Sequence, residues 1–146
     1  MIRYIFLFAF SLVLLSCGES TSESQADEAA TSGLGDLTNE VMEVHDEAMA
    51  KMGEVQQLMQ ALDQKANELQ EAGEEKAAIA MRDIVAELND ADRGMREWMR
   101  GYDPSAADPA TEGAEGYLKN QLQKIEEVRE NMFSAIQKGQ AALSGE

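Results

Sequence analysis

The chain has little of what most enzymes and nucleic-acid-binding proteins need. Its 146 residues include one Cys and one His, which excludes an intrachain disulfide framework and leaves little imidazole chemistry near neutral pH. Only 12 Lys and Arg stand against 28 Asp and Glu, and the formal charge of -16 argues against binding a phosphate backbone. Aromatic residues at 5% and two prolines favour helices, because strands are rich in aromatic and β-branched residues.

Motifs for catalysis are missing as well. The sequence contains no CxxC or HExxH pattern and no Gly-rich phosphate loop, and each of these would place the chemical groups that its reaction needs. The serines lie mainly in segments predicted below to be linker and loop, with no base beside them, so an activated nucleophile is not indicated. We therefore predict that the protein is not an enzyme.

The first residues are typical of a secretory signal. Arg3 supplies a positive charge, and Tyr4–Leu15 is apolar apart from Ser11. This run of about a dozen residues is too short to span a bilayer, which takes about 20.

The apolar run ends in Leu-Leu-Ser-Cys at positions 14–17, and residues 1–17 thereby resemble the lipobox region of bacterial lipoproteins. The resemblance implies a signal peptide over 1–16, cleavage after Ser16 and a diacylglyceryl group on the Cys17 sulfur. Gly18 stands where retention in the inner membrane would favour Asp, so the resemblance indicates the outer membrane. It leaves open whether the protein faces the periplasm or the cell surface.

A polar segment follows the lipidated cysteine. Between positions 18 and 36, Leu34 is the only large apolar residue, and such a segment buries too little to offset its ordering entropy. We predict a flexible acidic linker over 17–36, which tethers a folded domain over 37–146 to the membrane.

Apolar residues in the folded domain recur at alternating steps of four and three, which is typical of one face of a helix. The pattern predicts helices over about 38–72, 74–102 and 112–143, with Thr38 as an N-cap. Gly73 and Asp103-Pro104 are stop signals, the second opening a loop over 103–112. We predict an all-α fold, an antiparallel three-helix bundle running up-down-up; the alternative is a helical hairpin that completes its core by dimerising.

Folding the first two helices against each other gives a register in which partner numbers sum to about 146. This register places Met52 opposite Met95 and Ala48 opposite Trp98, and brings His45 beside the single Trp at the open end of the hairpin. Gly53 and Gly94 fall at one level, which indicates either a close backbone approach or a local bend.

The residues at this open end allow two interpretations. One is a methionine-rich end of the core, in which Trp98 turns its N–H toward water. The other is a soft-metal site for Cu(I) or Ag(I) with His45, Met49, Met52 and Met95 as ligands and Trp98 as a shielding aromatic residue, because thioether and imidazole groups select such ions. The residue types resemble those of small periplasmic copper chaperones, although those proteins are β-barrels. No cofactor is required by either interpretation.

Two segments of the domain carry a wider resemblance. Positions 41–53 (VMEVHDEAMAKMG) and 90–99 (DADRGMREWM) resemble a group of small helical lipoproteins of Bacteroidota-type bacteria, some labelled "viral A-type inclusion protein" after a coiled-coil similarity. The resemblance implies a helical fold and an envelope location, and it transfers no catalytic residues.

These observations lead to three hypotheses about function. The first is a non-enzymatic, lipid-anchored envelope protein that reaches the membrane through Cys17 and binds a protein partner or a second copy of itself, without nucleic acid. The second is a periplasmic Cu(I)- or Ag(I)-binding protein. The third is a holdase-like envelope chaperone.

Overall fold

The computed structural model describes the backbone over 21–145 and the side chains over 32–145. The predicted signal peptide, the lipobox and Cys17 lie outside the described residues. Four α-helices make up the described chain: α1 (Thr21–Met49), α2 (Met52–Glu71), α3 (Glu75–Gly101) and α4 (Ala114–Ser144). Only Ala50 and Lys51 separate α1 from α2, so the chain forms three helical rods. The all-α class and the three helices are confirmed, and no helix in this part of the chain is long and apolar enough to cross a membrane.

The turn between α2 and α3 depends on Gly73, as its sequence position predicts. Gly73 has a φ of 81°, a left-handed conformation that costs glycine little. Its N–H donates to the carbonyl of Gln70 at 3.1 Å, and the N–H of Glu74 donates to the carbonyl of Leu69 at 2.8 Å. This Schellman arrangement satisfies carbonyls that the end of α2 would otherwise leave free.

The predicted start of the first helix is wrong. We placed it at Thr38, but α1 begins at Thr21, and the Thr38 hydroxyl donates to the carbonyl of Leu34 one turn back at 2.9 Å. Leu34 and Leu37 pack against the core, so they add another turn to the apolar face. α1 thus reaches into the segment predicted as linker, and a flexible tether between the membrane and the folded domain stays a prediction.

A two-residue interruption lies between α1 and α2. The N–H of Lys51 donates to the carbonyl of Ala48 at 3.0 Å, three residues back, and the helical pattern resumes when Val55 donates to Lys51 at 3.0 Å. A Cβ added to Gly53 would meet nothing within 4 Å, and the nearest atom for Gly94 would be Cγ2 of Val128 in α4 at 3.9 Å. The close approach of these two glycines is therefore wrong, and the local break beside Gly53 agrees with the other alternative.

The core is built from the apolar stripes of all the rods. Its fully buried large side chains come from every helix: Val41, Val55, Leu62, Leu88, Met95, Leu118, Ile125 and Met132. Burying a side chain of this size contributes about 1.5–3 kcal/mol of free energy. Because α4 supplies three of these residues, the core is covered without a second chain.

Gly139 allows α4 to lie against both neighbouring rods. This buried glycine sits among leucines, and a Cβ there would lie 3.4 Å from Leu58, 3.5 Å from Leu62 and 3.5 Å from Leu88. Glycine is unfavourable inside a helix, yet α4 continues past Gly139 to Ser144. Close packing against the leucines of α2 and α3 compensates for the helix propensity that glycine lacks.

Polar side chains join the rods at defined levels. Between α2 and α3, Gln56 donates to the buried Asp92 at 3.2 Å. Arg96, one turn further along α3, reaches the same carboxylate at 2.6 Å, and the hydrogen bond and charge of Asp92 raise the pKa of this arginine. These bonds satisfy a carboxylate that would be costly to bury alone.

The other hydrogen bonds and ion pairs between the rods that we describe involve exposed side chains. Arg82 of α3 donates to Gln70 of α2; Arg129 and Gln140 of α4 donate to Glu47 and Glu54 at 3.2 and 2.6 Å; Lys138 pairs with Glu87.

The loop between α3 and α4 is held by its own side chains. Asp103 and Asp108 accept from the backbone N–H two residues on, at 2.9 and 2.8 Å, a turn geometry that aspartate favours. The N–H of Asp103 also donates to the Tyr117 hydroxyl at 2.6 Å, which ties the end of α3 to the first turn of α4.

Candidate functional site

A row of aromatic rings crosses the three rods at the end of the molecule remote from Gly73. The ring centroids of His45 and Trp98 are 5.4 Å apart, those of Trp98 and Tyr102 5.2 Å, and those of Tyr102 and Tyr117 6.0 Å. The first contact places His45 of α1 against Trp98 of α3, as the hairpin register predicts. These spacings are normal for interacting aromatic pairs.

Trp98 lies deeper than expected. Its side chain is buried, and its Nε1 has no hydrogen-bond partner among the described residues. The prediction that this N–H faces water is therefore wrong, because the ring lies between His45 and Tyr102 rather than capping the bundle. An unpaired buried donor costs about 1–3 kcal/mol, so packing of the large ring must outweigh that cost.

His45 is held by its neighbour in sequence. Its Nδ1 lies 2.9 Å from Oδ1 of Asp46, and the imidazole is about one fifth exposed, at 21%. A carboxylate can only accept a hydrogen bond, so in the neutral ring the proton is on Nδ1 and the lone pair is on Nε2. The contact thus fixes both the tautomer and the orientation of the imidazole.

Met49, Met52, Met95 and Met99 differ in accessibility. Met95 is fully buried, Met52 is half-buried against the core, and Met49 and Met99 are each 37% exposed. Of the predicted ligands, His45 and Met49 share α1, Met95 lies on α3, and Met52 is the first residue of α2, beyond the interruption. Met52 thus belongs to a different helix from His45 and Met49, and it packs against the core.

The contact between His45 and Trp98 indicates where the exposed methionines lie. Met49 follows His45 by four residues on α1. Met99 follows Trp98 directly on α3 and lies four residues after Met95. Residues four apart are neighbours on one helix face, so Met49 and Met99 belong to the two helix segments that meet at this aromatic contact.

The seam between α1 and α3 is filled by side chains rather than by closely approaching backbones. α1 packs chiefly on α4, while α2 packs on both α3 and α4. The space between α1 and α3 is bridged by His45 and Trp98, whose rings are in contact. We call the group formed by His45, Met49, Met95, Trp98 and Met99 the thioether seam.

Tyr102 extends the thioether seam toward α4. Desolvation by burial, followed by the neighbouring Tyr117, raises the pKa of Tyr102 above its usual 10.0. Its hydroxyl therefore stays protonated and uncharged over the range in which most proteins work.

Side chains with oxygen and nitrogen donors do not converge on a common point in the described part of the chain. No group of three His, Cys, Asp or Glu side chains over 32–145 is arranged to hold a metal ion. A groove of about 260 Å³ between α3 and α4 is lined by Glu87, Asp90, Asn131 and Lys138 among others. Glu87 and Lys138 pair with each other across it, which leaves these two charges mutually neutralised.

Comparisons with protein-family models, with curated proteins and with solved structures found no match to this chain. The resemblance to small helical lipoproteins of Bacteroidota-type bacteria stays a prediction, and function must be argued from the residues themselves.

Sequence reasoning places Met99 at this end of the core but not among the ligands, and it does not pair Asp46 with His45. Met99 lies one turn from Met95, a spacing that places two side chains on one face, and that signal was present in the sequence. The Asp46 contact involves a residue adjacent to His45, whose side chain points in a different direction around the helix. Only the structure shows that the Asp46 carboxylate folds back onto the His45 imidazole.

Proposed function

We propose that the protein is a non-enzymatic, lipid-anchored helical module of the bacterial outer membrane, which serves as an interaction or structural unit in the cell envelope. The observation that carries this proposal is the Leu-Leu-Ser-Cys sequence at the end of a short apolar run, followed by a domain whose large apolar side chains are buried within one chain. The lipid would supply the membrane attachment, and the helices would supply the surface.

An up-down-up course of the three rods is part of the proposal. Two pairs of contacts support it between α2 and α3: Gln56 bonds to Asp92 and Gln70 to Arg82, so partner numbers fall as residue numbers rise. Between the first rod and α4 the numbers rise together, since Glu47 meets Arg129 and Glu54 meets Gln140. The chain would then expose the end bearing the thioether seam and the end bearing Gly73 on opposite sides.

Charge supports attachment by lipid rather than by the protein surface. A chain with a formal charge of -16 is repelled by anionic headgroups, so the lipid, rather than a basic patch, would hold it at the membrane. Several acyl chains on one terminus anchor firmly, whereas a single chain binds reversibly. Cys17, the single cysteine, is the residue that would carry them.

Membrane fractionation of cells expressing the full chain tests this proposal. We expect the wild-type protein to take up labelled palmitate and to sediment with outer membranes. Cys17→Ser should lose the label and the processing, while Ser22→Ala, a matched change beside the lipobox, should keep both. An unlabelled wild-type protein, or a Cys17→Ser variant that is still labelled and processed, would refute the anchor.

Light scattering of the full chain carrying Cys17→Ser, in detergent, tests whether one chain is sufficient to form the folded domain. Because α4 covers the core, we expect the mass of a monomer after subtraction of the bound detergent. A stable dimer that dissociates when apolar α4 residues are changed would favour the hairpin alternative.

A further inference from the structure

We propose that the thioether seam binds a soft monovalent cation, Cu(I) or Ag(I), through Nε2 of His45 and the sulfur atoms of Met49 and Met99, with Met95 beneath as a fourth donor. The proposal is independent of the lipid anchor, since all of its residues lie on α1 and α3. It assigns Met99 in place of Met52 and gives Asp46 a role as a positioning residue.

The state of His45 is the first reason. Histidines that bind metals generally donate their other ring N–H to a carboxylate or carbonyl, which fixes the tautomer and makes the ligating nitrogen more basic. The 2.9 Å contact between Nδ1 and Asp46 supplies that arrangement and leaves the Nε2 lone pair as the free donor. The partial exposure of the imidazole, 21%, gives an ion a way in.

The placement of the methionines is the second reason. Met49 follows His45 by one turn on α1, so the two side chains are neighbours on one face. Met99 lies on α3 directly after Trp98, whose ring contacts His45, and one turn after Met95. Both methionines are 37% exposed, which is unusual for a residue type that is mostly buried, and both can move toward an ion because the methionine side chain has three rotatable bonds.

Burial around the site is the third reason. Met95 and Trp98 are almost inaccessible to water, so they would shield a bound ion from solvent. The acidic residues that flank His45 on the surface, Glu43, Asp46 and Glu47, raise the local concentration of cations. Neutral thioether donors give such a site its selectivity, because they favour Cu(I) over ions that prefer oxygen.

Titration with Ag(I), which needs no reductant, tests the site directly. The full chain carrying Cys17→Ser removes the single thiol, which would otherwise compete as a soft ligand. With methionine methyl groups labelled with carbon-13, we expect the signals of Met49, Met95 and Met99 to shift with bound Ag(I). The signals of Met59 and Met81, which lie nearer the Gly73 end, should stay in place. The emission of Trp98, the only tryptophan, should change with the same saturation curve.

Competition against a Cu(I) chelator then measures how much each ligand contributes to the Cu(I) affinity. Met49→Leu and Met99→Leu keep the volume of the side chain, and each should weaken binding at least tenfold, as should His45→Gln. Asp46→Asn should weaken it about tenfold, the lower end of the effect of residues that orient a ligand, because this carboxylate is 79% exposed. Met59→Leu is the matched control and should bind like the parent chain.

Three results would overturn the proposal: methyl shifts at Met59 or Met81 as large as those at Met49 and Met99, binding no tighter than micromolar, or equal affinity in the parent chain and in the Met49→Leu, Met99→Leu double variant. Helicity by circular dichroism verifies that each variant is folded. Since every assay uses a chain without Cys17, failure here leaves the lipid anchor unaffected, and failure of the anchor leaves this site unaffected.

Discussion

Replacement of Gly139 tests how closely α4 approaches the other rods. Gly139→Ala would place a methyl group 3.4–3.5 Å from leucines 58, 62 and 88, at the near edge of the optimal carbon–carbon separation of about 3.5–4.0 Å. Alanine gains about 1 kcal/mol over glycine inside a helix, and the buried methyl adds up to about 0.8 kcal/mol. Allowing for small shifts of three leucine methyls, we expect a net stabilisation of about 1 kcal/mol.

Gly139→Val should have the opposite effect. Its two γ-carbons would enter the space that the three leucine methyls already occupy, and overpacking of this kind costs about 1–3 kcal/mol. We therefore expect the free energy of unfolding to rise for alanine and to fall for valine. Gly94→Ala is the control: its Cβ would have only Val128 nearby, at 3.9 Å, so it should gain the helix propensity alone.

Urea denaturation of the full chain, followed by far-ultraviolet circular dichroism, measures these differences. In a thermal melt, a gain of about 1 kcal/mol in the free energy of unfolding would raise the Tm by roughly 3–5 °C for a domain of this size. Gly139→Ala that destabilises by more than about 1 kcal/mol, while Gly94→Ala stabilises, would show that α4 lies closer to the leucines than the structure places it. A fully tolerated valine would show that the rods are looser there.

Three further predictions concern the aromatic row. In urea denaturation, Trp98→Phe should lower the free energy of unfolding by less than about 1.5 kcal/mol, because losing the unpaired indole N–H offsets part of the lost packing. Trp98→Ala should lower it by about 3–5 kcal/mol. A loss above about 3 kcal/mol for Trp98→Phe would mean that the N–H is bonded. The raised pKa of Tyr102 means that its contribution to stability is complete below about pH 10 and is lost as the pH rises through the folded-state pKa; Tyr102→Phe should flatten this decline, and an unchanged alkaline profile would contradict the assignment. Tyr117→Phe removes the acceptor for the N–H of Asp103 and should cost about 0.5–1.5 kcal/mol, with faster hydrogen exchange at that amide; unchanged exchange would argue against the bond.

The fold could largely be predicted from the sequence because its signals are local. The alternating steps of four and three define the buried stripe of each rod, and Gly73 and Asp103-Pro104 mark where the rods end. The start of the first helix could not be placed, because Leu34 and Leu37 extend the stripe into a segment whose composition otherwise indicates a linker. Their burial depends on α4 and the loop being nearby, and this is a property of the tertiary structure.

The candidate site could be predicted only in part, for a similar reason. The hairpin register correctly brought His45 next to Trp98, since both lie on periodic stripes. The burial of the Trp98 N–H could not be foreseen, because it depends on how the ring settles between His45 and Tyr102. The displacement of Met52 from the first helix follows from the interruption at Ala50 and Lys51, where no proline marks the break.

The same interruption divides the first rod mechanically. α1 packs chiefly on α4, whereas α2 packs on both α3 and α4. Fewer helices therefore hold α1 in place. A pull transmitted along the chain from its N-terminus would reach α1 first and would act at the break before it reached the leucine-rich centre.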